Sequence, residues 1–511
     1  MTDTELDGES VTVVGGGFGG LSSACYLADM GADVTLIEQH ERLGGVAGVI
    51  EDDGYRFDTG PSWYLMPEVF ERFFGHFDRR PEEYYELTRL DPHYRVFWKD
   101  GDRADVSDSR DQVRALFESY EDGAGAALDA YLADAKEAYE VGMEQFVYTD
   151  RNRFRDFIDT DVVKNARGLT LLGSMDDHVQ EYVEHPKLRQ LLEYTLVFLG
   201  GSPYNTPALY SMLSHVDLNL GVYYPEGGIH GVVDALADLG SELGVEYRTG
   251  EAVQSISGGS GRFDVETEVG RHTADRVVCN TNPAYTEKEL LPPGARTQSP
   301  AEWETETYAP SAFLLYLGVE GDVEPLEHHT LILPTDWDDH FEAIFEDPRW
   351  PADPSYYVSV TSRTDPTVAP DDGHAIVVLV PIAPGLDDGP DVRASFREKV
   401  LEDLAEHTGV DLRDRIAVEH SACVSEFSEY FGAPGGTALG LAHTLKQTGP
   451  LRPSHRGGVD GLYYTGSYTT PGIGVPMCLI SGEHTADVVA EDVGATGRER
   501  GLLSDVLGRL G

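Results

Sequence analysis

The feature that most constrains the fold lies near the start of the chain, where a strand, a glycine-rich turn, a helix and a second strand follow one another within residues 11–38. Four β-prone residues, 11–14, precede three glycines in the spacing G-x-G-x-x-G. Gly15 allows the tight turn, Gly17 lets a pyrophosphate approach the backbone, and Gly20 lets the helix pack closely on the strand. Because free N–H groups at a helix N-terminus favour phosphate charge, this βαβ unit predicts a dinucleotide site.

An acidic residue and a second glycine pair follow this unit. Glu38 ends the second strand, where a carboxylate can accept both ribose hydroxyls of an adenosine; a plain turn with a solvated Glu38 is the alternative. Gly44 and Gly45 come next. Flavoproteins with two dinucleotide-binding domains carry such a pair, because their chain lies there against the phosphate and ribitol of the flavin. From this point the sequence resembles that superfamily, which includes amine oxidases, protoporphyrinogen oxidase and carotenoid desaturases, and the resemblance implies FAD.

The charge balance bears on environment and partners. The chain has 511 residues, too many for one compact core, and carries 90 acidic against 38 basic residues, a net charge of −52. At molar salt the Debye length falls to about 3 Å, which screens the self-repulsion of such a surface. We therefore predict a salt-adapted cytoplasm, as in halophilic archaea, and no nucleic-acid partner. The four widely separated cysteines predict neither a disulfide framework nor a metal site.

The distribution of apolar residues gives no sign of a membrane span. The longest apolar runs, residues 311–319 and 375–383, have the length of strands, well below the 18 or so residues of a spanning helix. Residues 1–10 are acidic and polar, unlike a signal peptide. The expected location is cytoplasmic.

Three internal segments are similar to parts of bacterial-type phytoene desaturases and their relatives. Gly60, Pro61 and Ser62 match a segment that runs beside the flavin in that family; an ordinary surface turn is the alternative. The order helix, Gly-Gly-x-Pro, helix, Tyr-Pro-x-Gly-Gly over residues 188–228 implies the border of a substrate tunnel, with plain aromatic core as the alternative. In the superfamily a strand valine places its backbone against the adenine, and that role is carried to Val253.

The C-terminal signature, residues 461–476, is the second strong signal. It predicts a strand, a glycine, a short loop with a Pro-Gly-x-Gly-x-Pro turn, and then a helix over about 477–492. A helix N-terminus aimed into a site favours developing negative charge. In the family this helix points at the pyrimidine edge of the flavin, although desaturases commonly carry a histidine where this chain has Thr470. The cofactor candidates here are Gly466, Ser467, Gly472, Ile473, Gly474 and Val475.

A change of residue composition along the chain completes the predicted architecture. From about residue 68 to 215 glycine becomes rare and helical patterns rich in Tyr, Phe and Leu dominate. We predict an α/β fold with a Rossmann-like FAD-binding domain, a mixed-sheet substrate domain and an inserted helical, membrane-facing domain. The predicted boundaries are 10–75, 221–295 and 451–495 for the FAD-binding domain, 76–220 for the helical insert, 296–450 for the substrate domain and 496–511 for a C-terminal tail.

Taken together, the motifs resemble a bacterial-type phytoene desaturase over nearly the whole chain. The resemblance implies dehydrogenation of a long polyene such as phytoene: a hydride leaves an allylic carbon for flavin N5, a proton leaves the neighbouring carbon, and a conjugated double bond remains. Arg155 and Asp156 resemble a short Phe-Arg-Asp stretch of the desaturases. Asp156 could accept the proton with Arg155 lowering its pKa, and an exposed helical ion pair is the alternative.

The same resemblance implies further partners and leaves alternatives open. A carotenoid comes from the bilayer, so the protein is expected to lie peripherally on the inner face of the cell membrane, with a quinone or oxygen as electron acceptor. A 3,4-desaturase, a carotene isomerase or a polyene saturase of the same fold are alternatives. A soluble amine oxidase and a non-catalytic lipid-escort protein are alternatives of other classes.

Overall fold

The βαβ unit is formed by β1 (Ser10–Val14), α1 (Phe18–Asp29) and β2 (Asp33–Ile37). The structure is a computed structural model that describes residues 5–149, 173–444 and 446–508. β1 pairs in parallel with β2, so that Val13 lies beside Leu36. The turn between β1 and α1 is tight, because a Cβ at Gly20 would clash with the carbonyl oxygen of Gly15.

Five parallel strands form the sheet around this unit, in the order β19-β13-β1-β2-β9. The three further strands are β9 (Glu246–Arg248), β13 (Arg276–Cys279) and β19 (Leu462–Tyr464). A three-stranded antiparallel sheet covers one face through Phe263 and Val265, which join the same core as Val14. Its strands are β10 (Val253–Gly258), β11 (Phe263–Thr267) and β12 (Arg271–Ala274).

A seven-stranded mixed sheet forms the second major layer, in the order β18-β14-β17-β16-β15-β6-β7. Its pairs are antiparallel except for β15 and β6, which run parallel. The strands are β6 (Tyr94–Trp98), β7 (Arg103–Val106), β14 (Ser311–Glu320), β15 (His329–Leu333), β16 (Tyr356–Val360), β17 (Gly373–Ile382) and β18 (Ile416–Ala422).

The interval 76–220 differs from its prediction as a helical insert. It begins with β5 (Leu87–Arg89), β6 and β7, and the last two complete the seven-stranded sheet. The physical reason is that β6 reads Tyr-Arg-Val-Phe-Trp, a run of strand formers whose partner strand β15 lies more than 230 residues away. The α-helices of this interval begin at Arg110, and their apolar residues pack against Val96 and Leu331 on one face of this sheet.

The helices and the two remaining strand pairs connect these sheets. β3 (Val49–Asp52) pairs with β4 (Tyr55–Asp58), and β5 pairs with β8 (Tyr223–Pro225). The helices after α1 are α2 (Pro67–His76), α3 (Arg110–Tyr120), α4 (Ala124–Gly142), α5 (Met175–Val179), α6 (Pro186–Glu193), α7 (Met212–His215), α8 (Ile229–Leu243), α9 (Pro283–Tyr285), α10 (Pro300–Trp303), α11 (Asp338–Phe345), α12 (Pro390–Thr408), α13 (Val424–Phe431) and α14 (Val475–Gly508). Across the described ranges, we find no helix that combines the length and apolar character needed to cross a membrane.

Helices α1 and α14 pack against each other on the face of the five-stranded sheet opposite the antiparallel one. Ser22 Oγ donates to the carbonyl oxygen of Leu479 at 2.7 Å. A Cβ at Gly482 would lie 2.5 Å from Ser22 Cβ and 2.7 Å from Ser23 N, so only glycine permits this approach.

We expect Gly482→Ala to lower stability by about 1–3 kcal/mol, because the added methyl group overpacks the α1–α14 contact. Gly494→Ala on the same helix is the matched control, since a Cβ there meets no atom within 4 Å. That control should be neutral or stabilise by up to about 1 kcal/mol through helix propensity. Thermal unfolding in molar salt measures both variants, and equal shifts would contradict the packing argument.

Candidate functional site

The beginning and the end of the chain meet beside the strand β13. A Cβ at Gly19 would lie 2.7 Å from Gly466 Cα, so the two backbones are in direct contact. Asn280, at the end of β13, fills the remaining space, because Cβ atoms at Gly17 and Gly466 would lie 2.8 Å and 2.6 Å from its side-chain amide. Ser23 Oγ donates to Thr465 Oγ1 at 3.0 Å and closes the contact. The two glycine motifs therefore border one site.

Glu38 is held in place by the backbone on both oxygens. Its side chain is buried, Oε2 accepts the Gly16 N–H at 2.7 Å, and Oε1 accepts the His40 N–H at 2.9 Å. Each oxygen keeps a further lone pair for a ligand hydroxyl. The carboxylate is thus presented in a fixed orientation at the end of β2, as a ribose acceptor requires.

The second glycine pair lies directly against the first glycine turn. Gly44 N donates to the carbonyl oxygen of Gly16 at 2.8 Å, and Gly44 and Gly45 both have positive φ, at 114° and 59°. A Cβ at Gly45 would lie 3.4 Å from Gly17 Cα. The two turns therefore form a cradle of bare backbone that side chains would fill.

The cradle opens into a cavity of about 880 Å³. Three predicted cofactor residues do not line it: Gly20 packs on Gly15, Gly466 packs on Asn280, and Gly472 packs on His443. Arg155 and Asp156 lie outside the described residues. The predicted residues that line the cavity are Gly15, Gly17, Glu38, Gly44, Gly45, Gly60, Pro61, Ser62, Val253, Ser467, Ile473, Gly474 and Val475.

The rest of the cavity is an apolar arm between the seven-stranded sheet and the helices that cover it. Leu314, Leu379, Tyr357 and Leu331 are register partners on four neighbouring strands and form one row across the sheet. The opposite wall comes from the helical segments. Its residues include Tyr139, Met143, Phe146, Val147, Met212, Leu213 and Val216.

Charged side chains on the cavity wall are few and lie at the cradle end. Among the described residues that line it, none is Lys, Arg or Asp, and the three glutamates are Glu38, Glu251 and Glu429. Glu251 N donates to the Glu38 carbonyl oxygen at 2.9 Å, which places those two residues side by side. The arm therefore fits a long hydrocarbon much better than an ionic ligand.

The C-terminal loop is fixed by residues that the sequence interpretation did not single out. The Ile473 N–H donates to His443 Nε2 at 3.1 Å, so the neutral ring carries its proton on Nδ1 and donates it to the Tyr210 oxygen at 2.9 Å. Burial lowers the pKa of His443 to about 3, which keeps the ring neutral. The Arg452 guanidinium donates from Nη2 to the carbonyl oxygen of Ser467 at 2.7 Å and from Nη1 to that of Gln447 at 3.2 Å.

Thr470, the position where desaturases commonly carry a histidine, also has a histidine partner. The buried His455 places Nδ1 3.1 Å from the carbonyl oxygen of Tyr464, so Nδ1 carries the proton. Its Nε2 then accepts from the Thr470 hydroxyl at 3.0 Å. Burial lowers the pKa of His455 to about 4, which preserves this arrangement at neutral pH. Thr470 lines the cavity with its hydroxyl already engaged.

The cradle fits a dinucleotide on structural grounds. Gly17 caps α1 without a side-chain hydrogen bond, so the first N–H groups of the helix stay available to a phosphate. The bare backbone of the glycine turns leaves room for a pyrophosphate, and Glu38 offers its oxygens to a ribose.

The family model of the flavin containing amine oxidoreductases matches residues 18–490. The chain belongs to this family. With the dinucleotide cradle, membership makes the cofactor FAD.

Proteins similar to this chain include two curated relatives. A carotenoid 3,4-desaturase from Haloarcula japonica is 60% identical over 493 residues, which is 96% of this chain and 100% of that protein. A zeta-carotene-forming phytoene desaturase from Myxococcus xanthus is 35% identical over 486 residues, 93% of this chain and 92% of that protein. The crystal structure of an oxidoreductase from Methanosarcina mazei shares the fold at a TM-score of 0.64 and 17% identity, covering 94% of this chain and 100% of that one.

We expect Glu38→Gln to weaken FAD binding by about 10- to 100-fold, because an amide cannot accept from both backbone N–H groups and both ribose hydroxyls. Glu41→Gln, an exposed neighbour, removes the same charge and should change affinity less than twofold. Titration of the apoprotein with FAD in molar salt measures both. Equal affinity of the Glu38 variant and the wild type would remove this carboxylate from the cofactor site.

Proposed function

We propose that the protein is an FAD-dependent carotenoid desaturase that removes two hydrogen atoms from a long polyene and extends its conjugation. The observation that carries this proposal is the continuity of one cavity, from the glycine cradle beside Glu38 into the apolar arm across the seven-stranded sheet. A carotenoid is a long hydrocarbon, and the arm offers it aliphatic and aromatic walls. The carotenoid-desaturase names of both curated relatives support the same substrate class.

The protein itself contributes by binding the polyene, orienting it and excluding water from it. When bound, FAD supplies the acceptor for the hydride. The row Leu314, Leu379, Tyr357 and Leu331 would hold the polyene flat against the sheet and exclude water, so that one carbon–carbon bond is presented repeatedly in the same orientation. We further propose that Asp156 accepts the proton that leaves the polyene and that Arg155 lowers the pKa of Asp156.

Within this class we favour desaturation at the 3,4-position of a carotenoid. The support is the 60% identity to the Haloarcula japonica carotenoid 3,4-desaturase over that protein's full length. The zeta-carotene-forming phytoene desaturase of Myxococcus xanthus, at 35% identity, supports phytoene as the second candidate substrate. We further propose contact with the inner face of the cell membrane through the helical part, and reoxidation by a quinone or oxygen, because a carotenoid is stored in the bilayer.

Anaerobic reduction of the flavin, followed as bleaching of its visible absorbance in molar salt, tests the proposal. Lycopene-type carotenoids in vesicles should bleach the flavin at least tenfold faster than phytoene, and the product should absorb at longer wavelength. Faster bleaching by phytoene would select the second candidate. Bleaching by amines alone would overturn desaturation in favour of an amine oxidase, and a protein that retains no FAD would indicate a lipid escort.

We expect Leu379→Trp to lower carotenoid turnover at least tenfold while FAD affinity stays within twofold, because the indole would fill the arm between Leu314 and Tyr357. Val269→Trp is the control, since Val269 is 70% exposed and outside the cavity lining. Turnover and FAD titration are measured for both variants. Normal turnover of the Leu379 variant would show that the polyene does not use this row.

A further inference from the structure

Helix α13 reaches from the seven-stranded sheet to the cradle end of the cavity. It follows β18 directly, and its last residues, Tyr430 and Phe431, line the same cavity as Glu38. Gln39 and His40, the two residues after Glu38, line it as well. The end of α13 and the end of β2 therefore lie side by side at the part of the cavity where an adenosine is expected.

Two hydrogen bonds fix the end of α13 to the dinucleotide-binding part. Gln39 Nε2 donates to the carbonyl oxygen of Tyr430 at 3.0 Å, and Asn282 Nδ2 donates to the carbonyl oxygen of Gly432 at 3.2 Å. Gly432 has a φ of 60°, and a Cβ there would lie 2.6 Å from the ring of Tyr285. The backbone on both sides of Phe431 is thus held by hydrogen bonds from the dinucleotide-binding part.

Tyr430 presents its ring to solvent and to the cavity at the same time. It is 56% exposed and stacks on the imidazole of His40, with ring centroids 5.4 Å apart and an interplanar angle of 28°. The backbone N–H of His40 is the donor that fixes Glu38 Oε1. An aromatic pair anchored to the ribose-binding residue, and open on the cavity side, has the shape and chemistry to accept the π-face of a base.

We propose that Tyr430 and His40 form an aromatic cap on the adenosine half of FAD, supplied partly by the substrate-binding part of the protein. The proposal rests on FAD as the cofactor and does not depend on which substrate is oxidised. Glu38 takes the ribose, and the cap covers the base next to it. Because α13 follows directly on β18 of the seven-stranded sheet, the cap couples retention of the cofactor to the position of that sheet.

The test compares Tyr430→Ala with Tyr430→Phe in apoprotein titrations with FAD and with ADP, a probe that contains only the adenosine half. Stacking of one base on an aromatic ring strengthens binding by about 5- to 150-fold. Tyr430→Ala should weaken FAD and ADP binding by the same factor within that range, whereas Tyr430→Phe, which keeps the ring, should stay within twofold of wild type. Tyr204→Ala is the control, since Tyr204 is 48% exposed and outside the cavity lining.

Each other outcome overturns the cap. An unchanged FAD affinity in Tyr430→Ala would remove Tyr430 from the site, and a loss for FAD without a loss for ADP would place its effect elsewhere on the cofactor. An equal loss in Tyr430→Phe would assign the effect to the hydroxyl group. A fall in the apoprotein melting temperature larger than that of Tyr204→Ala would make the role structural. No carotenoid is present in these titrations, so failure of the desaturase proposal gives a separate result.

Discussion

The contact between Gly19 and Gly466 is the constraint on which the site depends. It joins residues almost 450 positions apart, and it exists only because Gly19 has no side chain. Asn280 fits between the two backbones, and the Gly466 N–H is satisfied by Ser481 Oγ at 2.8 Å. The N-terminus of α1 and the loop before α14 therefore form two sides of one site, and a bound dinucleotide can contact both.

The second determinant is the long-range completion of the seven-stranded sheet. The parallel pairing of β6 with β15 carries the apolar face past Leu331 to Val96 and gives the helices a surface on which to pack. The arm of the cavity lies between these two layers, so its walls are core residues that leave a gap in their packing. The glycine cradle and the apolar arm are consequently built by different sheets, and their alignment is set by where the sheets meet.

The sequence predicted those parts of the site whose signal is local. The glycine spacing before α1, Glu38 and the turn before α14 each lie within a short segment, and the structure brings them to one cavity. The strands β5 and β6 were missed because their partners, β8 and β15, lie far along the chain. The strand β7 was missed with them, because it is placed in the sheet by its pairing with β6. Asn280, His443 and Tyr430 were missed because none of them carries a motif. Each has at least one partner more than 150 positions away, which is Gly466 for Asn280, Tyr210 for His443 and Gln39 for Tyr430.

Molar salt, the environment that the acidic surface indicates, also bears on how the cradle can bind a charged cofactor. A diphosphate brings negative charge to a cavity whose described lining has three glutamates and neither Lys nor Arg. At molar salt an exposed cation would be screened within about 3 Å, so it would add little to phosphate binding. Backbone N–H groups at the N-terminus of α1, which no side chain caps, would meet a phosphate at hydrogen-bond distance, where screening is weak. A protein with a net charge of −52 can therefore bind an anionic cofactor at a cavity whose described lining holds neither Lys nor Arg.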